Sequence, residues 1–304
     1  MAVRADLADV HAHLRRPPPD GLDPIAAMRA LVADYGMGCA GPGLTACRVQ
    51  PVMIGERAAE WLVPPGAGDD RLVYLHGGGW VAGSPASHRA IAAELALGSG
   101  RAVLVPDYRL APERPFPAGL IDGAAALAHA AAHGPDGSAP VAGLALAGDS
   151  AGGNLAAVLA LGLGPAVPAL DRLLLISPFL AVAAAADSFA GPVVDPVVAL
   201  DGMALVASLY APGVAGDDPR ISPLHADAAA LAQLPPTLIQ ASAAETLRGQ
   251  ALAFAQRLWA AGLWARLSLW PDMPHVWHAF IGQLPEADAA LADGAAFLRD
   301  RTTG

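Results

Sequence analysis

The segment from Gly148 to Gly152 reads Gly-Asp-Ser-Ala-Gly and lies between two apolar runs. The G-x-S-x-G pattern is typical of a sharp turn from a strand into a helix, where side chains at the two glycine positions would clash with nearby backbone. In such a turn Ser150 lies beside the free N–H groups of a helix amino terminus, which suits a nucleophile. A serine here could equally cap the helix, and the five residues alone do not decide between the two interpretations.

A second glycine-rich segment, RLVYLHGGGW from Arg71 to Trp80, favours catalysis. Its apolar residues predict a strand, and three successive glycines after it let bare N–H groups approach the oxyanion that acyl transfer develops. A flexible turn and a phosphate-binding loop are the alternatives. The phosphate loop is disfavoured because the Lys-Ser/Thr ending of a P-loop and the G-x-G-x-x-G spacing are both missing. Together with Ser150, this loop predicts a serine nucleophile facing an oxyanion loop.

A serine nucleophile needs a base that takes its proton and an acid that orients the base. The best candidate among the nine histidines is His275, in a Pro-bounded loop after the last predicted strand. His278, three residues further on, is the nearest alternative. The acid cannot be chosen from spacing alone.

The elements that must position these residues alternate along the chain. Short apolar runs that predict strands are separated by Ala- and Leu-rich helical stretches, which indicates a mainly parallel sheet with helices on both faces. The alternation stops between Pro178 and Arg220, and we interpret that interval as an insertion over one end of the sheet. Helical spacing in the first 42 residues predicts two short helices. The sequence thus predicts a cap of residues 1–42 and 178–220 on a catalytic domain of residues 43–177 and 221–304.

Composition excludes several classes of function. The 304 residues carry a net charge of −10, and all 18 basic residues are arginine, so a nucleic-acid partner is not expected. The amino terminus lacks a continuous apolar region, and the longest weakly charged stretch is broken by charges, Gly and Pro. We therefore expect no secretory signal, no membrane span and a cytoplasmic location. Cys39 and Cys47 are expected to be free thiols without metal-binding spacing.

Four segments in order along the chain carry a resemblance to a known family. They are HGGGW (His76 to Trp80), PDYRLAPERPFPA (Pro106 to Ala118), GDSAGGN (Gly148 to Asn154) and PDMPHVWHAF (Pro271 to Phe280). With them the chain resembles the bacterial hormone-sensitive-lipase-like family of α/β-hydrolases. The resemblance implies an α/β-hydrolase fold, in which a mainly parallel central sheet is flanked by helices and a helical cap covers the active site.

The resemblance also assigns the residues around the nucleophile. It implies that the oxyanion is held by backbone N–H groups of Gly78, Gly79 and Ala151. It implies that the oxyanion loop is shaped by His76, Gly77 and Trp80. The family pattern P-G-M-P-H aligns with Pro271 to His275, and the family order of nucleophile, acid and histidine agrees with His275 as the base.

The acid departs from the usual family pattern. The family commonly has Asp in a D-P-L-R-D stretch, where this chain has AAETLRGQA from Ala243 to Ala251. Aligning Leu247 and Arg248 with that stretch places Glu245 at the acid position. A solvated acid at a helix start is the alternative role for Glu245. The competing carboxylates are Asp195, Asp201, Asp217, Asp218 and Asp272.

The function that the resemblance implies is a serine carboxylesterase acting on short- to medium-chain esters through an acyl-enzyme, with no metal or organic cofactor. Its partner is then a small-molecule ester, and a homodimer is possible. Lactone hydrolysis of cyclic, terpene-type esters is one alternative, and a non-catalytic small-ligand binding protein is another. The presence of both Ser150 and His275 favours chemistry over binding alone. The predicted substrate-facing lid is apolar, with Met28, Leu31, Trp80, Met203 and Leu205.

Overall fold

The computed structural model describes residues 6–38, 40–182 and 195–300, and a mixed eight-stranded sheet lies at its centre. The strands of these residues are β1 (Arg48–Ile54), β2 (Arg57–Val63), β3 (Asp70–Leu75), β4 (Ala102–Pro106), β5 (His133–Gly134), β6 (Gly137–Ser138), β7 (Gly143–Asp149), β8 (Arg172–Ile176), β9 (Thr237–Ser242) and β10 (Ala265–Trp270). The helices are α1 (Leu7–Leu14), α2 (Pro24–Ala33), α3 (Pro42–Ala46), α4 (Pro85–Ser99), α5 (Ala118–Ala132), α6 (Ser150–Ala160), α7 (Leu200–Tyr210), α8 (Ala228–Leu231), α9 (Arg248–Ala260) and α10 (Pro285–Arg299).

The strand order in the sheet is β1-β2-β4-β3-β7-β8-β9-β10. β2 runs antiparallel to both of its neighbours, and every later pair in this order is parallel. The predicted mainly parallel sheet is therefore confirmed. Leu75 at the end of β3 pairs with Gly148 near the end of β7, so the oxyanion loop and the nucleophile turn leave the sheet side by side.

Helices cover both faces of the sheet because successive strand residues point to opposite sides. Val73 and Leu75 of β3 belong to the core beneath α5, α6 and α9, whereas Leu72 and Tyr74 belong to the core beneath α4 and α10. All four side chains are fully buried. Both faces of this apolar strand are thus covered by helices, as the sequence predicts.

The amino-terminal helices begin with clear capping signals. Asp6 and Asp9 form a capping box at the start of α1, and the Asp23 carboxylate accepts N–H bonds at the start of α2, which also has Pro24 in its first turn. The insertion contributes the helix α7. The division into a cap and a catalytic domain stays a prediction. Residues 1–5, 183–194 and 301–304 of the predicted domains, and Cys39, lie outside the described residues.

Among the described residues, no helix is both long enough and apolar enough to cross a membrane. The short hairpin of β5 and β6, around the segment HGPDGS, was not expected from the sequence, because its strands of two residues carry no periodic pattern.

Candidate active site

Ser150 lies at the turn from β7 into α6. Its φ of +51° is in the left-handed region that residues other than glycine rarely adopt. A Cβ on Gly148 would lie 2.5 Å from the carbonyl carbon of Gly152, and a Cβ on Gly152 would lie 2.0 Å from the Leu75 carbonyl oxygen. Both positions therefore require glycine, for the steric reason that the G-x-S-x-G pattern predicts.

The Ser150 hydroxyl faces the ring of His275, which lies 125 residues later in the chain. Ser150 Oγ is 2.9 Å from His275 Nε2, and His275 Nδ1 is 2.7 Å from Glu245 Oε2. With the Nδ1 proton directed at the carboxylate, Nε2 is left to accept the hydroxyl proton of the serine. The hydroxyl does not cap α6, whose N-cap residue is Asp149.

The second carboxylate oxygen of Glu245 fixes the orientation of this side chain. Glu245 follows β9, and its Oε1 accepts the N–H of Ser242 at 2.8 Å. The Ser242 hydroxyl donates to the Met273 carbonyl at 2.6 Å, which links the turn of the acid to the loop of His275. Glu245 is 1% exposed, so it is not a solvated acid at a helix start.

The competing carboxylates that the structure describes have other partners or are exposed. Asp195 accepts the N–H of Thr246 at 2.9 Å, and Asp218 pairs with Arg220 at 2.6 Å. Asp217 and Asp272 are exposed, and the side chain of Asp201 lies outside the described residues. Among the described side chains, Glu245 is the carboxylate that hydrogen-bonds to the His275 ring.

The two neighbouring histidines of the base loop differ in their electrostatic surroundings. Burial lowers the pKa of His275, but the hydrogen bond and the charge of Glu245 outweigh burial, so its pKa lies above the ordinary value of 6.5. Burial lowers the pKa of His278 to about 3, and its Nε2 lies 3.0 Å from the Gln240 amide oxygen. His278 is therefore a neutral core histidine.

The glycines of the oxyanion loop allow close backbone approach. A Cβ on Gly77 would lie 2.1 Å from Asp149 Oδ2, and a Cβ on Gly78 would lie 2.4 Å from the Ala82 carbonyl oxygen. Gly78 and Gly79 have φ values of +116° and +62°. The loop therefore has a conformation that side chains would prevent.

Two of the three expected oxyanion donors line the cavity of the serine. Gly78 and Gly79 line the cavity that also contains Ser150. Ala151 is in the first turn of α6, where backbone N–H groups have no partner within the helix. Gly78 and Gly79 thus adjoin the cavity of the serine and Ala151 follows the serine in the chain, and their role as donors to a tetrahedral oxyanion stays a prediction.

His76 and Trp80 pack the loop from behind. His76 Nδ1 hydrogen-bonds to the Gly77 carbonyl at 2.8 Å, and its ring stacks on Tyr108 at 4.2 Å. The Tyr108 hydroxyl donates to the His76 carbonyl at 2.7 Å. Trp80 is 1% exposed and stacks on Tyr210 at 4.4 Å. The segment that contains Tyr108 therefore packs behind the oxyanion loop.

Asp149 is a site residue that the sequence analysis did not identify. Its buried carboxylate accepts the Gly77 N–H at 2.9 Å and the Tyr74 hydroxyl at 2.7 Å, and it lies 3.4 Å from His88 Nε2. Burial acts to raise the pKa of Asp149, but His88 and the Tyr74 hydrogen bond outweigh burial and lower it. The carboxylate thus joins the nucleophile turn to the oxyanion loop. Its position as the variable residue of G-x-S-x-G gave no signal.

A cavity of about 550 Å³ opens above Ser150. Its wall includes apolar side chains from both parts of the predicted cap, namely Met28, Leu31, Val32, Met203 and Val206. Leu205 is not part of this wall and is 47% exposed, because it lies on a different side of α7 from Met203 and Val206. Trp80 lies beneath the loop. Met28, Leu31 and Met203 of the predicted lid therefore line the cavity, together with Val32 and Val206, whereas Leu205 and Trp80 do not.

Comparisons with known proteins identify the family. A family model described as the α/β hydrolase fold matches residues 72–279. An acetyl-hydrolase of Streptomyces hygroscopicus is 38% identical over 257 residues, which cover 83% of this chain and 82% of that protein. Carboxylesterase NlhH of Mycobacterium tuberculosis is 35% identical over 231 residues, which cover 75% of this chain and 72% of that protein.

A solved structure agrees over nearly the whole chain. The crystal structure of an esterase from the bacterial hormone-sensitive lipase family matches with a TM-score of 0.84 and 37% sequence identity. The match covers 96% of this chain and 97% of that chain. The chain belongs to the α/β-hydrolase family, in the bacterial hormone-sensitive-lipase-like group.

Proposed function

We propose that the protein is a serine carboxylesterase that cleaves esters of small molecules through an acyl-enzyme. The observation that carries this proposal is the chain of two hydrogen bonds that links Glu245 Oε2, His275 and Ser150 Oγ, with distances of 2.7 and 2.9 Å. Relatives named acetyl-hydrolase and carboxylesterase support an ester as the substrate.

Acylation begins with proton transfer from the Ser150 hydroxyl to His275 Nε2. The serine oxygen then attacks the ester carbonyl, and the carbonyl oxygen becomes an oxyanion held by N–H groups of Gly78, Gly79 and Ala151. Glu245 stabilises the imidazolium without taking its proton. His275 gives the proton to the leaving alcohol as the C–O bond breaks, and an acyl ester of Ser150 remains.

Deacylation repeats these steps with water as the nucleophile. His275 removes a proton from the water, which attacks the acyl carbonyl and forms a second oxyanion at the same donors. The proton on His275 then returns to the Ser150 oxygen as the carboxylic acid leaves. No metal or organic cofactor takes part in these steps.

The apolar wall of the cavity favours an apolar substrate. Met28 and Val206 approach the oxyanion loop so closely that a Cβ on Gly79 would lie 2.8 Å from Met28 Cε and 3.3 Å from Val206 Cγ1. An apolar acyl or alkoxy group of short to medium length gains hydrophobic free energy beside such a wall. A charged group there would lose hydration without a partner.

A panel of p-nitrophenyl esters from acetate to laurate, measured beside a panel of small lactones, tests the substrate class. We expect turnover of the acetate and butyrate esters and a steep fall in kcat/KM at the longest chain, because a cavity of about 550 Å³ has little room for a long acyl chain. A strong preference for lactones would assign ring opening to the same residues instead. Binding of esters without turnover would contradict catalysis and favour the binding-protein alternative.

The oligomeric state, the cellular location and the lack of a nucleic-acid partner stay predictions. A homodimer is consistent with the position of β10, which is at the end of the strand order and carries Leu269 with 48% exposure. The cytoplasmic location and the lack of a nucleic-acid partner rest on the sequence composition alone.

A further inference from the structure

We propose that α2 and the turn that follows it hold two loops of the active site in position. Arg29 is the positioning residue for the oxyanion loop, and Tyr35 is the positioning residue for the loop of His275. The inference rests on the proposed esterase function. It assigns a role to Arg29 and Tyr35, which belong to none of the four family segments.

Arg29 joins the oxyanion loop to the segment behind it. Its Nε donates to the carbonyl of Val81, the residue that follows Trp80, at 2.8 Å. Its Nη2 donates to the Ala111 carbonyl at 3.3 Å. The Ala111 N–H in turn donates to the Trp80 carbonyl at 2.9 Å. One side chain from α2 thus closes a ring of hydrogen bonds around the end of the oxyanion loop.

An ion pair fixes the Arg29 guanidinium in the orientation that this ring requires. Nη1 and Nη2 donate to the two carboxylate oxygens of Glu113 at 2.9 and 2.7 Å. A planar guanidinium can make these parallel bonds and still reach the Val81 and Ala111 carbonyls, whereas a lysine ammonium cannot reach all four acceptor oxygens at once. The contact therefore depends on arginine geometry and not only on positive charge.

The residue before Arg29 contacts the same loop directly. A Cβ on Gly79 would lie 2.8 Å from Met28 Cε, so the Met28 methyl group rests on the Gly79 backbone. Displacement of α2 would remove both this apolar contact and the Arg29 bonds. Gly79 is one of the proposed oxyanion donors, and small displacements of such donors reduce transition-state stabilisation.

Tyr35, in the turn after α2, contacts the loop of His275. Its hydroxyl donates a hydrogen bond to the backbone carbonyl of His275, and its ring packs against Phe280 at 5.6 Å between centroids. Burial and the nearby carboxylates of Asp195, Glu245 and Asp149 raise the pKa of Tyr35 well above its ordinary value, so the phenol keeps its proton. It therefore remains a donor throughout the working pH range.

These contacts are suited to positioning more than to overall stability. The Arg29 and Glu113 side chains are 39% and 56% exposed, and an ion pair so exposed adds little to folding. α2 contains no fully buried residue. Loss of an Arg29 bond should consequently change the catalytic geometry more than the melting temperature.

The test compares Arg29→Lys and Tyr35→Phe with Arg48→Lys, a matched substitution in an exposed ion pair with Asp136 at the far edge of the sheet. Active sites are titrated with a fluorophosphonate, and kcat, KM and the affinity for phenylboronic acid, which forms a tetrahedral adduct with an active serine, are measured per titrated site. We expect Arg29→Lys to lower kcat about tenfold, with KM within about twofold and a similar loss of boronate affinity. Arg48→Lys should change none of these values.

Tyr35→Phe tests the loop of His275 separately from the oxyanion loop. Loosening the loop of His275 weakens its bond to Glu245, so kcat should fall and the acidic limb of the pH profile should move to lower pH. Arg29→Lys should leave that limb in place.

A role in folding alone would lower the titrated fraction and the melting temperature while leaving kcat per site, boronate affinity and the pH profile unchanged. This result would overturn the inference. A wild-type protein without ester turnover would instead overturn the proposed function, and the inference with it.

Discussion

Replacement of Ser150 by alanine is expected to lower kcat for p-nitrophenyl butyrate by about 10⁶-fold, the scale found when a serine nucleophile is removed from a triad. The substitution removes the hydroxyl oxygen that lies 2.9 Å from His275 Nε2, so no acyl-enzyme can form at this position. It should not unfold the protein, because alanine is small enough for the turn and the hydroxyl is bonded to His275 rather than to the core. Initial rates and circular dichroism of the purified variant check both expectations.

Ser208→Ala is the matched control for this loss. Ser208 lies on α7, and its hydroxyl donates to the Leu205 carbonyl within the same helix. Its removal should leave kcat and KM unchanged. Turnover by Ser150→Ala at the wild-type rate would show that another group attacks the ester.

Replacement of Glu245 by glutamine is expected to lower kcat by about 10⁴-fold, the cost known for an amide in place of a triad carboxylate. The reason lies in the two contacts of the carboxylate. The amide oxygen is needed to accept the Ser242 N–H at 2.8 Å, which turns the amide NH₂ toward His275 Nδ1. That NH₂ favours the tautomer with Nε2 protonated, and such a ring cannot accept the Ser150 proton. Stopped-flow or initial-rate assays on the variant measure the loss.

The pH profile of the same variant gives an independent readout. Wild-type kcat/KM should fall as pH decreases through the raised pKa of His275, above pH 6.5, because the protonated imidazole cannot act as a base. In Glu245→Gln the two effects of Glu245 that raise this pKa are lost while burial, which lowers it, remains. The acidic limb of the residual activity should therefore move to lower pH.

Asp272→Asn is the matched carboxylate-to-amide control. Asp272 is exposed in the loop of His275 and has a φ of +57°, a conformation that asparagine tolerates well. This variant should keep wild-type kcat and the wild-type pH profile. Full activity in Glu245→Gln, together with loss of activity in Asp195→Asn or Asp218→Asn, would contradict Glu245 as the orienting acid.

Short-range patterns in the sequence were enough to predict much of the fold. Alternation of apolar strands with helices predicted the parallel part of the sheet, because buried strands must be apolar on both faces. The glycines at 148 and 152 were predicted from steric reasoning, and the structure gives the clashes that exclude other residues. The hairpin of β5 and β6 was not foreseen, since two-residue strands have no period to detect.

Long-range contacts were beyond the reach of the sequence. Glu245 was proposed only through the family resemblance, because its spacing from His275 carries no geometric signal. Arg29 and Glu113 lie 84 residues apart, and Tyr35 lies 240 residues from the carbonyl that it contacts. The partners of Asp149 were missed for the same reason, since Tyr74 and Gly77 meet it only once β3 and β7 pair.

The most direct test of the proposed chemistry is to trap the acyl-enzyme. The protein is mixed with p-nitrophenyl butyrate, quenched in acid within milliseconds, and analysed by intact-protein mass spectrometry and peptide mapping. A mass increase of one butyryl group on the peptide that contains Ser150, missing in Ser150→Ala, is the predicted result. Turnover without any acylated protein, or acylation mapped to another residue, would contradict Ser150 as the nucleophile.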